Sequence, residues 1–378
     1  MSSSEPIVIE ADLLADGTSP ARPGWVRIEA AVVSDRGDGR APEEVAAGAT
    51  VVPADLVTPG LVDIHVHGAR GVDFAQVGVD PRPAIDHHHA AGTTSIVASL
   101  ATGSAEATVR RVRELQPFLA AGDLAGLHLE GPWLSRERRG AHAPDLLRAP
   151  DPREIDALLE AGGGGIRMVT LAPELPGAFD AIATLVRSHV VVAIGHTAAD
   201  AETTSRAIDA GASVVTHLFN GMDPLHHRRP GVVGAALTRG DVALEIIADG
   251  VHVDDIVVDL VIRSAGDRLL LVSDAMAATG LGDGDYELAG SRVTVSRGVA
   301  QLADGSSLAG STATLGAIAR RLRARGVSTE LVASAASARP SAALGISAPL
   351  LGVGDAADLV VFDGVTVRTL RGGRWLAS

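Results

Sequence analysis

Side chains that can ligate a metal stand at or just past the ends of apolar runs through the middle of this chain. "LVDIHVHG" carries His65 and His67, "LAGLHLEGP" carries Glu130, "VVVAIGHT" carries His196 and "SVVTHLFNGM" carries His217. A fifth run, "LLLVSDAM", leads to Asp274. A divalent ion needs several nitrogen and oxygen ligands converging from separate stretches of chain. The pattern therefore predicts a metal-dependent hydrolytic site.

His65 and His67 are two residues apart on a strand, so their side chains point the same way and can bind one ion together. A carboxylate at the end of a run as apolar as "GLHLE" is costly to bury unless a cation offsets its charge, which marks Glu130. His128 alternates with it on the same strand face and reads either as a near neighbour of the site or, the favoured reading, as a residue packed in the barrel. His196 or His217 alone would read as a hydrogen-bonded core histidine; the two together with Glu130 read as a ligand set. Asp274 is placed either as a general base and acid beside activated water or as a capping residue at a turn. "NGMDPLHHRRPG" gathers His226, His227, Arg228 and Arg229, either as a solvated loop or as a fork for phosphate or carboxylate. His252 follows a later apolar run in "ADGVHVDD". The "HHHAAG" segment that starts at His87 precedes a strand, so it reads as a helix end on the rim away from the ligands.

These ligands can meet only if the runs that carry them lie side by side. Apolar, strand-like runs recur near 61–67, 94–99, 125–130, 166–172, 190–195, 212–218, 242–248 and 268–273. Helix-like segments that mostly end in Gly separate them, such as "DPREIDALLEAG" and "DAETTSRAIDAG". Eight such units predict an α/β fold, a (β/α)8 TIM-type barrel, whose strand C-termini surround one mouth. "AGGGG" at 161–165 reads as a helix-to-strand connection. The stretch after Asp274 reads as a β-hairpin insertion. Short strand-like runs at both ends predict a small β subdomain built from the two termini, with boundaries at 1–57, 58–340 and 341–378.

Composition sets limits. The 378 residues include no cysteine and no lysine, so thiolate metal sites, Schiff-base catalysis and a carboxylated-lysine metal bridge are excluded. Any bridge between two ions must be a carboxylate such as Glu130. A formal charge of −14 disfavours a nucleic-acid partner. "MSSSEPIVIEADLLADG" lacks the basic start and long apolar run of a signal peptide and no stretch is long enough for a membrane span, so a soluble cytoplasmic protein is expected.

From "PGLVDIHVHG" through "GLHLEGPWLSRERRGAHAP", "IGHTAADAE", "THLFNGMDPLHHRRPG", "IADGVHV" and "VSDAMAATG" to "GSSLAGS", the chain resembles the amidohydrolase superfamily, and within it the N-acetylglucosamine-6-phosphate deacetylases. The resemblance covers most of the chain, in order. It implies Glu130, His196 and His217 as metal ligands, with His65 and His67 holding a second ion in members that keep the pair. It implies Asp274 as catalytic acid and base, and His142 as the group that orients or polarises the acetamide, with Ala141 beside it. Asn220, Gly221 and Arg228 match sugar-phosphate contacts. His252 matches a substrate position that could serve a partner subunit, and Leu308, Ala309, Gly310 and Ser311 match a loop that closes on substrate. The implied cofactor is a divalent metal, one or two ions per subunit, zinc foremost with iron, manganese or cobalt as alternatives. The implied partners are a small amino-sugar phosphate and a second copy of the chain in a homodimer, with no nucleic acid or membrane. Two departures stand out: Arg229 occupies a position where an acidic residue is common, and Trp133 begins the loop after Glu130. Rival readings are the N-acetylgalactosamine epimer, a cyclic-amide hydrolase, and an inactive binding protein of the same fold.

Overall fold

The computed structural model describes residues 5–347, 349–364 and 366–377. The eight apolar runs form eight parallel strands: β1 (Leu61–Val66), β2 (Thr93–Ala101), β3 (Gly126–Glu130), β4 (Ile166–Leu171), β5 (Val191–Ile194), β6 (Ala212–Val215), β7 (Ala243–Ile246) and β8 (Leu269–Leu271). Each pairs with the next in chain order. A parallel bridge between Val66 and Ala275, with the Asp274 N–H donating to the His65 carbonyl at 2.9 Å, joins the last strand's exit to the first. That is the closed (β/α)8 arrangement expected. β1 and β3 are buried along their whole length, which is why they read as apolar runs rather than alternating patterns.

Most of the helices that follow the strands start at a side-chain cap. α1 (Arg82–Ala90), α2 (Ala105–Ala120), α3 (Pro152–Gly162), α4 (Ala178–Arg187), α5 (Ala201–Asp209), α6 (Gly231–Thr238), α7 (Asp255–Ala265) and α8 (Leu315–Ala324) follow β1 to β8 in turn. Ser104, Asp151, Asp200, Asp254 and Thr314 each accept a backbone N–H of the first turn at α2, α3, α5, α7 and α8, a cap worth about 1 kcal/mol each. Gly163, at φ +51°, ends α3 in the left-handed conformation and leads into β4, so "AGGGG" is the connection expected. The insertion after Asp274 differs from expectation. It is a three-stranded antiparallel sheet (Gly284–Leu288, Ser291–Ser296, Val299–Leu302) rather than a single hairpin, since "VAQL" supplies a further strand.

Two compact units emerge: Ile64–Ile85 with Ile96–Ala313, and Met1–Asp63 with Asp86–Ser95 and Thr314–Ser378. The second contains a seven-stranded sheet to which both ends of the chain contribute. Ile7–Leu14 pairs in parallel with Thr50–Pro59, whose other edge takes Leu359–Asp363 antiparallel. Ile9, Val26, Ile28, Val57, Leu359 and Val361 form its core. Among the described residues, no helix is long and apolar enough to cross a membrane.

"HHHAAG" closes α1 ahead of β2, as expected. Within it His89 is buried, and its Nε2 has no hydrogen-bond partner among the described residues. Burial, with Arg371 and His88 nearby, pushes its imidazole down to about 3. The unfolded chain takes up this proton near pH 6.5, whereas the folded chain resists it until about 3. Stability from this group is therefore complete above pH 6.5 and falls by about 1.4 kcal/mol per unit as the pH drops toward 3. Urea denaturation from pH 7 to 4 should show a shallower loss of stability for His89→Gln than for the parent chain. Identical slopes would remove His89 from the acid response.

Candidate metal centre and active site

The strand registers place the ligands at one rim. Ala101 pairs with Glu130 and Glu130 with Thr170, while Leu171 pairs with Ile194 and Ile194 with Val215. β2 to β6 thus end in matching register, and the chain turns sharply past β5, β6 and β8. His196, His217 and Asp274 sit in these turns at φ +47°, +28° and +49°, a region that L-residues avoid at a cost of about 1–3 kcal/mol each. The Asp274 turn is pinned by its N–H on the His65 carbonyl and by the Ser311 N–H on its own carbonyl at 2.7 Å.

His65, His67, Glu130, His142, His196, His217 and Asp274 are all buried and all meet. Glu130 Oε1, His196 Nε2 and His217 Nε2 form a triangle whose three sides are each 3.1 Å. Ligands bound at about 2.0 Å around a tetrahedral ion are separated by about 3.3 Å, so this triangle matches one face of such a site. A second triangle joins His65 Nε2, His67 Nε2 and Asp274 Oδ1 at 3.2, 3.4 and 3.2 Å. Glu130 faces both, with Oε1 3.4 Å from His65 Nε2 and Oε2 3.2 Å from His67 Nε2. These residues could hold one or two divalent ions, with Glu130 between them.

Electrostatics point the same way. Burial alone would push the His65 and His67 imidazoles down; the Glu130 and Asp274 carboxylates outweigh it and raise both, His67 to about 9. The imidazoles in turn hold Glu130 and Asp274 well below the ordinary carboxylate range, against the effect of burial. The centre keeps two ionised carboxylates in a buried place and draws positive charge to them, a demand that a divalent cation meets.

His142 comes from the long segment after β3, and its Nε2 lies 3.3 Å from Glu130 Oε2. Burial pushes it down to about 4, so it is neutral near pH 7. The Thr102 N–H points at its Nδ1 at 3.4 Å, and the Thr102 hydroxyl lies 2.8 Å from the same atom. An N–H only donates, so this network assigns the His142 proton to Nε2, which is then a donor toward the cavity. His128 packs inside the barrel as expected, with Nδ1 at 2.9 Å from Ser99 Oγ and Nε2 at 2.8 Å from Thr170 Oγ1.

The groups behind the ligands were not picked out from the sequence. Glu245 on β7 accepts from His65 Nδ1 at 3.0 Å, and the Arg138 carbonyl accepts from His196 Nδ1 at 2.8 Å. Gly140 and Gly221, both at positive φ, press on the His196 ring; a Cβ on Gly221 would stand 2.8 Å from its Nδ1. The one available signal was Glu245 itself, a lone carboxylate in "VALEIIA".

A cavity of about 230 Å³ opens beside these groups. Ala141, His142, Asn220, Gly221, His252, Leu308 and Gly310 line it. His252 donates from Nδ1 to Asp249 at 2.8 Å. Three expected contacts lie elsewhere. Ala309 is buried beside the wall. Ser311 braces the Asp274 turn instead, its hydroxyl donating to the Ser273 carbonyl at 2.7 Å. Arg228 is exposed at the tip of its loop, with Nη1 2.8 Å from His227 Nε2. A second cavity of about 350 Å³, lined by Asp73, Arg111 and Tyr286 among others, lacks the converging imidazoles.

The sequence profile of the amidohydrolase family matches residues 56–376. The chain belongs to the amidohydrolase family. Within this amidohydrolase family, N-acetylgalactosamine-6-phosphate deacetylase of Escherichia coli O157:H7 is 37% identical over 349 residues, covering 90% of this chain and 92% of that protein. N-acetylglucosamine-6-phosphate deacetylase of Bacillus subtilis (strain 168) is 36% identical over 330 residues, covering 85% and 83%. Among solved amidohydrolases, a mutant N-acetyl-D-glucosamine-6-phosphate deacetylase from Mycobacterium smegmatis in complex with N-acetyl-D-glucosamine-6-phosphate superposes with a TM-score of 0.94 at 42% identity, covering 99% of this chain and 100% of that one.

Proposed function

We propose that this amidohydrolase deacetylates N-acetyl-D-glucosamine 6-phosphate, giving D-glucosamine 6-phosphate and acetate. The observation that carries the reading is the Asp274 carboxylate, 3.2 Å from His67 Nε2 and lining the same cavity as Glu130, His196 and His217. Glu130, His196 and His217 would hold the first divalent ion, and His65 and His67 a second. A bound ion supplies activation of water and polarisation of the amide carbonyl. Zinc is the foremost candidate, and iron, manganese or cobalt suit the same nitrogen and oxygen donors.

The chain's own residues carry the protons. Asp274, ionised at neutral pH, accepts one from the attacking water as the new C–O bond forms at the acetamide carbon. His142 keeps its Nε2 proton and donates a hydrogen bond to the carbonyl oxygen as negative charge develops there. Asp274 then returns its proton to the nitrogen as the C–N bond breaks, because an unprotonated amine leaves poorly. Asn220, the Gly221 backbone and His252 position the sugar.

Arg228, which stands exposed on its loop, is assigned to the phosphate because "NGMDPLHHRRPG" resembles a sugar-phosphate contact segment of the deacetylases. Arg228→Ala is then expected to raise KM for the phosphorylated sugar about tenfold or more while sparing N-acetylglucosamine, by the strength of a charge-assisted pair. Equal losses on both substrates, read by acetate release, would take Arg228 out of the phosphate site. The N-acetylgalactosamine 6-phosphate reading is kept alive by the relative of that name at 37% identity. Acetate release on both epimers tests the assignment; no release from either would end it. A homodimer in the cytoplasm belongs to the same proposal, and sedimentation velocity measures the first part.

A further inference from the structure

We infer that Glu245 is the positioning residue that makes the His65–His67 side of the centre a metal site. The inference rests on the metal-dependent reading above and adds a residue to it.

Glu245 lies on β7 with none of its surface exposed. Its Oε2 accepts two hydrogen bonds, one from His65 Nδ1 at 3.0 Å and one from the His217 backbone N–H at 3.2 Å. Its Oε1 has no hydrogen-bond partner among the described residues. A fully buried carboxylate left half unsatisfied is a poor choice for stability, since an apolar residue there would avoid the desolvation cost. Both of its bonds go to segments that carry metal donors, one from each triangle.

The chemistry of those bonds decides the role. A carboxylate can only accept, so His65 must carry its proton on Nδ1. Nε2, which faces Glu130, His67 and Asp274, is then the nitrogen left to hold an ion. Such a carboxylate behind an imidazole fixes the tautomer and the ring plane and makes the imidazole a stronger donor. It also adds a third negative charge behind a position already faced by the Asp274 and Glu130 carboxylates. The bond to the His217 N–H braces a turn whose φ of +28° would otherwise be free to relax. Removing Glu245 should weaken the His65–His67 position most, because His217 meets Glu245 only through its backbone.

The test is metal binding by the full-length chain, read without turnover. The parent, Glu245→Gln and Glu245→Leu are stripped with chelator, titrated with zinc by calorimetry, and titrated with cobalt(II) by visible absorption; bound metal is counted by mass spectrometry. The Gln amide oxygen can accept both bonds without the charge, so it separates orientation from electrostatics and serves if the Leu variant fails to fold. The parent is expected to fill two positions. In Glu245→Leu the second dissociation constant should rise by about ten- to a hundredfold, with the matching cobalt absorption lost, while the first changes little. Glu245→Gln should fall between the two. A parent that takes one ion at saturating metal, or a Glu245→Leu variant that takes two at parental affinity, overturns the inference. If the parent takes two ions yet releases no acetate from either sugar phosphate, the functional reading fails and the role of Glu245 stands.

Discussion

Replacing Asp274 with asparagine is expected to lower kcat by about two to four orders of magnitude, the range that a well-placed general acid–base group supplies. Asparagine keeps the shape of the side chain and the backbone bonds that pin the turn, namely the Asp274 N–H on His65 and the Ser311 N–H on the Asp274 carbonyl. It cannot take a proton from water or return one to the amine. The Glu130, His196 and His217 triangle does not include Asp274, so bound metal at that position and KM should change little. Steady-state kinetics on N-acetyl-D-glucosamine 6-phosphate, with metal analysis of the same preparation, checks this. Turnover within a few-fold of the parent would show that another group moves the proton.

The second large effect concerns Glu130. Its two oxygens lie 3.1–3.4 Å from five imidazoles, those of His65, His67, His142, His196 and His217. In Glu130→Gln the nitrogen of the amide must face imidazole nitrogens that present lone pairs, and the charge that draws a cation is gone. Metal affinity should drop by more than the roughly hundredfold that loss of an outer-shell partner can cause, and activity should fall to background. The fold should survive, because the β3 backbone pairing with β2 and β4 is untouched. Metal content after dialysis, with far-UV circular dichroism as the folding control, reads the result. A variant that keeps its full metal complement would remove Glu130 from the centre.

The parts of this architecture legible in the sequence were those with a periodic or compositional signature. Runs such as "LLLV" and "VVVAI" announce buried parallel strands because both faces are covered. A polar side chain at the end of such a run is conspicuous, so His65, His67, Glu130, His196, His217 and Asp274 could be gathered before any coordinates. Glu245 escaped because it sits inside its strand, away from the strand ends where the ligands cluster. Thr102 and the Arg138 carbonyl carry no side-chain signal for their task; their roles depend on where a loop happens to pass. Ser311 was expected at the substrate and instead holds a turn, since its hydroxyl reaches the Ser273 carbonyl. The exposed place of Arg228 is a matter of loop path, which residue types do not encode. The third strand of the insertion was missed because four residues make a weak alternating pattern.

The interleaved terminal sheet has a consequence for synthesis. One flank of Thr50–Pro59 is covered by Ile7–Leu14, but the other waits for Leu359–Asp363. Those residues leave the ribosome roughly 300 positions later, a delay of ~15–60 s at about 5–20 residues per second. Throughout that interval the nascent protein displays an unpaired hydrogen-bonding edge, the kind of surface that recruits foreign strands. A stalled or truncated product lacking its last twenty residues would keep that edge open permanently, which makes the terminal segment a safeguard against aggregation as well as a piece of scaffold.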